Sequence, residues 1–129
     1  MSEEARLQEI DERRAKQQGV RTQTTRMRGH VRARVTKLAN KFEQFHVEYP
    51  GEKAEEPVAF SKLCAMFQTM EPIALQLVKL DRQLLETFED DFEEEEDKAN
   101  ECEDQDSYQE KVTMMESYYH LLETNRQLA

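Results

Sequence analysis

Apolar side chains recur at helical spacing in three stretches of this chain. Val31, Val35, Leu38, Phe42 and Phe45 are separated by 4, 3, 4 and 3 residues, a heptad stripe that predicts a helix facing a partner helix. Phe60, Leu63, Phe67, Met70, Ile73, Ala74, Leu77, Leu80, Leu84 and Phe88 form a second, wider stripe at the same period. Tyr108, Val112, Met115, Tyr119 and Leu122 repeat the 4-3-4-3 spacing, and Met114, Tyr118 and Leu121 widen that face. Three amphipathic helices follow from the pattern alone.

Turn and cap residues set the expected boundaries. Ser2 before Glu3 and Glu4 is a helix start, with a capping hydroxyl and acids at the positive end of the helix dipole. From Arg13 to Gly29 apolar residues are few, and Gly19 and Gly29 each cost about 1 kcal/mol relative to Ala in a helix interior. Residues 1–27 are therefore expected to form a frayed or partly disordered basic arm. Tyr49-Pro50-Gly51 ends the first helix, because Pro50 disfavours a helical residue before it and Gly51 supplies a turn. Pro57 suits the first position of the second helix. Pro72 should kink that helix or break it, and the break is favoured.

The acid-rich run from Glu89 to Asp106 reads as a solvated loop or weak helix. Ser107-Tyr108-Gln109-Glu110 then matches a capping box that would open the third helix. The expected fold is all-α: a three-helix antiparallel bundle over residues 28–129, or a coiled-coil-like helical assembly, preceded by the arm.

Composition narrows the class. Only three Gly, three Pro and no Trp occur among 129 residues, while 36% are charged, the usage of long helices rather than of β-structure. Cys64 and Cys102 stand alone, with no second Cys or His at ligand spacing, so neither a zinc site nor a disulfide framework is expected. A reducing, intracellular compartment, cytoplasmic or nuclear, is the corresponding expectation. No apolar run approaches the length of about 18 residues that a membrane span needs, and the first twenty residues fit no targeting sequence.

Net charge is −10, and the sum conceals a reversal. Ten Lys and Arg, with no Asp or Glu, lie between Arg13 and Phe42; thirteen acids and one base, Lys98, lie between Glu86 and Asp106. Two roles compete for the basic segment. Arg21, Arg26, Arg28, Arg32, Arg34, Lys37 and Lys41 would suit non-specific contact with nucleic-acid phosphates, and an anionic membrane surface would fit the same charges. No aromatic lies between Arg13 and Lys41 to stack a base, so such binding would be salt-sensitive and sequence-blind. Alternatively, the bases neutralise the acidic run of their own chain or of a neighbouring subunit.

Catalytic chemistry has little to build on. His30, His46 and His120 lie in no glycine-rich or strand-turn-helix context, and ordinary surface or helix-terminal roles are expected for them. The acids from Glu93 to Asp97 lack the alternating ligands and central Gly of an EF-hand loop. Met66, Met70, Met114 and Met115 read as adaptable packing. No cofactor, metal or small-molecule substrate is expected, and no enzymatic activity.

Two segments carry a family resemblance. Arg28-Gly29-His30-Val31-Arg32-Ala33-Arg34-Val35-Thr36-Lys37-Leu38-Ala39-Asn40 resembles the basic helix that opens the Gag-like polyprotein of BEL/Pao-class LTR retrotransposons, with its Arg-x-x-x-Thr-x-x-x-Asn arrangement. Leu80-Asp81-Arg82-Gln83-Leu84-Leu85, the following acids, and Tyr108-Gln109-Glu110-Lys111-Val112 are similar to the acidic segment and next helix of that region. The resemblance implies self-assembly with RNA association, in an N-terminal fragment or a domesticated remnant.

The function expected from the residues is that of a non-enzymatic helical self-association or scaffold module. Its self-association surface is expected at Val31, Val35, Leu38, Phe42, Phe45, Val112, Met115, Tyr119 and Leu122. The expected partner is a second copy or another helical protein, and the alternative is a non-specific RNA- or DNA-binding protein using residues 13–41.

Overall fold

The Ser2 hydroxyl accepts a hydrogen bond from the Ala5 amide at 3.3 Å, and from this cap one helix, α1, runs unbroken from Glu3 to Glu48. The computed structural model describes residues 2–88 and 94–128. A single 3-10 turn, Gly51–Glu55, reverses the chain, with Gly51 at a φ of 57°, in the left-handed region that favours glycine. Helix α2 spans Pro57–Glu86, with Pro57 in its first turn, and helix α3 spans Glu95–Leu128. The chain is thus an all-α three-helix bundle in which α1 and α3 run parallel and α2 antiparallel to both.

The three stripes meet on one axis. Val35, Ala54, Ala59, Leu63, Met70 and Leu77 are entirely out of solvent, joined by Val31, Leu38, Phe42, Phe45, Val112, Met115 and Leu122. Tyr119 is half-buried and stacks on Phe67, ring centroids 4.0 Å apart and nearly coplanar, with Phe60 stacked at 5.9 Å. Its hydroxyl lies 3.8 Å from the Cys64 sulfur. Burial first, then hydrogen bonding to Cys64 and Glu123, raise the pKa of this phenol well above its ordinary value. No described helix is long and apolar enough to cross a membrane.

Three expectations are corrected and one is narrowed. Residues 3–27 belong to a continuous helix instead of a frayed or disordered arm, because Arg21, Thr24 and Arg28 dock on the rest of the bundle and carry helical order past Gly19 and Gly29. Helix α2 passes through Pro72 without a break. Pro72 and Gln68 are both exposed, so the proline lies on the solvent side of α2 rather than in its packed face. Of the two readings of 89–106, a solvated loop or a weak helix, the structure takes the helix from Glu95 onward, while residues 89–93 lie outside the described residues. Ser107 consequently sits inside α3, and the capping box is not a helix start.

The nine residues expected to mediate self-association are occupied too. Val31, Val35, Leu38, Phe42, Phe45, Val112, Met115, Tyr119 and Leu122 all pack within one chain, where three helices of the same molecule already satisfy each stripe. Only Tyr119, half-buried, keeps part of its surface exposed.

Candidate functional site

The apolar core does not fill the whole bundle. In α1 the 4-3 register of Val31 to Phe45 extends backward to Arg28 and Thr24; in α2 it extends from Leu77 to Asp81 and Leu84; in α3 it extends backward from Val112 through Tyr108 to Gln105 and Glu101. Each helix therefore brings a polar side chain to the seam at the same level. The result is a charge cluster buried at the end of the bundle where α2 hands over to α3.

Arg28 is its centre, with a side chain 7% exposed. Its guanidinium donates to Glu101 of α3, lies 3.7 Å from Oδ1 of Asp81 on α2 and 4.0 Å from Asp104. Arg32, one turn on, donates to Asp104 at 2.6 Å and lies over the Tyr108 ring at 4.3 Å from its centroid. Gln105 Nε2 donates to the Asp81 carbonyl at 3.1 Å and to Glu101 at 3.0 Å, and Gln109 Nε2 donates to the Asp81 carboxylate at 3.2 Å. Two guanidiniums thus face three carboxylates.

Burial dominates the electrostatics. It lowers the Arg28 pKa, with the neighbouring Arg32 charge acting the same way and the carboxylates opposing both. It raises the Asp81 pKa against the stabilising pull of Gln109 and Arg28. Hydrogen bonding in the cluster is incomplete: Arg32 Nε and Nη2 and Asp81 Oδ1 are buried without a hydrogen-bond partner among the described residues. Such a cluster contributes less to stability than to register, because any slip of one helix strands a charge in the interior.

Seven residues further toward the N-terminus, Arg21 repeats the device. It donates to the Thr87 hydroxyl at 3.1 Å, to the Thr87 carbonyl at 2.8 Å and to Glu94 at 3.1 Å, and its guanidinium covers the Phe88 ring at 4.1 Å. The Thr87 hydroxyl in turn donates to the Leu84 carbonyl at 2.6 Å. Arg21 therefore ties off the C-terminus of α2, where carbonyls lack amide partners.

The seven basic residues singled out for nucleic acid divide into two groups. Arg21, Arg28 and Arg32 turn inward and pair with acids of the same chain, whereas Arg26, Arg34, Lys37 and Lys41 are exposed on α1. His30, His46 and His120 are exposed, His46 edge-on to Tyr118 at 4.3 Å and His120 edge-on to Phe67 at 5.6 Å. Cys64 and Cys102 are free thiols. Among the described residues no group of His, Cys, Asp and Glu is placed to hold a metal ion.

Asp81, Glu101, Gln105 and Gln109 were given no site role from the sequence, although Glu101 lies in the acidic run and Gln109 in the capping-box match. The signal that marks Asp81, Glu101 and Gln105 is heptad phase: each occupies a seam position in an otherwise apolar repeat. Comparison with known proteins finds no matching family model, no matching curated protein and no matching solved structure.

Proposed function

We propose that this chain is a non-enzymatic helical scaffold module that self-associates. One observation carries the reading: α1, at 46 residues, outruns the helices it packs against. At about 1.5 Å per residue it is about 69 Å long, against about 45 Å for the 30-residue α2. A helix segment held beyond its own bundle presents a face to another molecule. The resemblance to a Gag-like N-terminal region points the same way, toward assembly.

The basic segment supports this reading over nucleic-acid binding. Three of its arginines are engaged with Glu94, Glu101, Asp81 and Asp104, which is the internal neutralisation that competed with phosphate contact. Seven exposed cations of this segment remain along α1, Arg13, Arg14, Lys16, Arg26, Arg34, Lys37 and Lys41, with no aromatic between Arg13 and Lys41 for base stacking.

Light scattering over a range of concentrations, at low and high salt, tests the proposal, with the absorbance ratio reporting nucleic acid. A mass above the 15.3 kDa of one chain, free of nucleic acid, is the expected result. A one-chain mass at every concentration, or nucleic acid carried along until salt strips it off, overturns it.

A further inference from the structure

We infer that the N-terminal end of α1 is a homodimer interface in which two copies pair antiparallel through residues 3–21. The inference rests on the self-association reading and supplies its surface, partner and orientation.

Three observations converge on this end of the molecule. The seam register of the core continues past it: stepping back by sevens from Phe45 leads through Leu38, Val31, Thr24 and Gln17 to Ile10, and from Phe42 through Val35, Arg28 and Arg21 to Arg14 and Leu7. Leu7 and Ile10 thus lie on the face that is buried further along, yet they are 60% and 38% exposed. The cause is geometric: α2 ends beside Val20 and Thr24, where Gln83, Glu86 and Thr87 face Arg13, Lys16 and Gln17 across an open groove of about 520 Å³.

Charge selects the occupant. Residues 3–12 carry five acids and one base, whereas residues 13–20 carry three bases, Arg13, Arg14 and Lys16, and no acid; Arg21 beyond them is already engaged with Glu94 of its own chain. Parallel copies would set like against like along both segments. Antiparallel copies with their two-fold axis near residue 12 set the acidic segment of each chain against the basic segment of the other, twice over. In that arrangement Leu7 and Ile10 of one chain enter the partner's groove, whose apolar floor is Val20, itself 47% exposed. Arg13 and Lys16 at the groove's edge meet the incoming acids. The contact spans only about five helical turns, so it belongs with small, reversible interfaces, and salt weakens it.

Sedimentation equilibrium of the full chain, alongside L7E/I10E, tests the interface. The substitutions lie outside the bundle core, so helix content by circular dichroism stays unchanged, while the dimer dissociation constant rises at least about tenfold. Orientation is read by disulfide trapping in a C64S/C102S background: chains carrying Glu4→Cys and chains carrying Val20→Cys cross-link to each other, and Glu4→Cys chains do not cross-link among themselves. An oligomer that survives L7E/I10E, or one that traps Glu4→Cys to Glu4→Cys, overturns this interface and leaves self-association standing. A one-chain mass for the unmodified protein overturns both.

Discussion

Arg28 on α1 donates to Glu101 on α3, 73 residues further along the chain, and nearly the same offset relates Arg21 to Glu94 and Arg32 to Asp104. This ladder fixes the parallel register of two helices that share no short connection. Its weight rests on Arg28, whose loss would leave Asp81 and Glu101 as buried charges facing each other. Arg28→Ala is expected to destabilise the chain by about 3 kcal/mol, and a combined replacement of Arg28, Asp81 and Glu101 by Leu to recover most of that. Urea unfolding checks both; an Arg28→Ala loss below about 1 kcal/mol would falsify the central role given to this side chain.

The raised pKa of Asp81 makes a pH statement with a definite sign. The folded state holds this proton more tightly than the unfolded state, where an aspartate titrates near about 3.9. The stabilising contribution is complete below that value and is lost as pH rises through the higher folded-state pKa. Asp81→Asn mimics the protonated form and keeps an acceptor for Gln109. Relative to the variant, the unmodified chain therefore loses stability as pH rises from about 4. Unfolding free energies measured across pH 4 to 8 on both proteins provide the comparison, and identical pH slopes would remove Asp81 as the titrating group.

Two leucines in α2 separate burial from composition. Leu77 is fully buried and Leu75, two positions earlier, is 72% exposed. Leu77→Ala should cost about 2–5 kcal/mol, through lost burial and the cavity left behind, and Leu75→Ala less than about 0.5 kcal/mol. Chemical denaturation midpoints read the contrast directly. Equal effects at both sites would mean that α2 is rotated from the orientation described.

Pro72 is a local cost that the packing of α2 overrides. Pro72→Ala restores an amide donor to the Gln68 carbonyl and removes the ring from the helix interior, at an exposed position where nothing else changes. Thermal unfolding should show a gain of up to about 3 kcal/mol, offset in part by the freer unfolded chain. A loss of stability on substitution would indicate that the helix is not continuous through this point.

The three helices were legible because their apolar residues repeat at 4-3 spacing, and the turn at Pro50-Gly51 was legible because those residues leave few backbone choices. The caps at Ser2 and Pro57 followed from the same local chemistry. The errors share one cause. The apolar-poor stretch around Gly19 and Gly29, the acidic segment after Glu95 and the stretch through Pro72 each lack a strong local helix signal, and they were expected to fray, to form a loop or weak helix, and to kink or break. Local propensity costs about 1 kcal/mol at a glycine and about 3 kcal/mol at a proline, whereas docking Arg21, Thr24, Arg28 and Gln105, and burying Met70 and Ala74 on either side of Pro72, supply order that no local window contains.

The helical class, the stripes and the separation of positive from negative charge were readable along the chain, because they depend on residues near one another in it. Packing in three dimensions added that the stripes close within one molecule, and that Arg21, Arg28 and Arg32 face inward to Glu94, Glu101, Asp81 and Asp104. It also decided that α2 ends beside Val20, leaving Leu7 and Ile10 in register with the core and uncovered. Those outcomes depend on where two helices stop relative to a third, a difference of lengths measured across the bundle, which no periodicity within a single helix encodes.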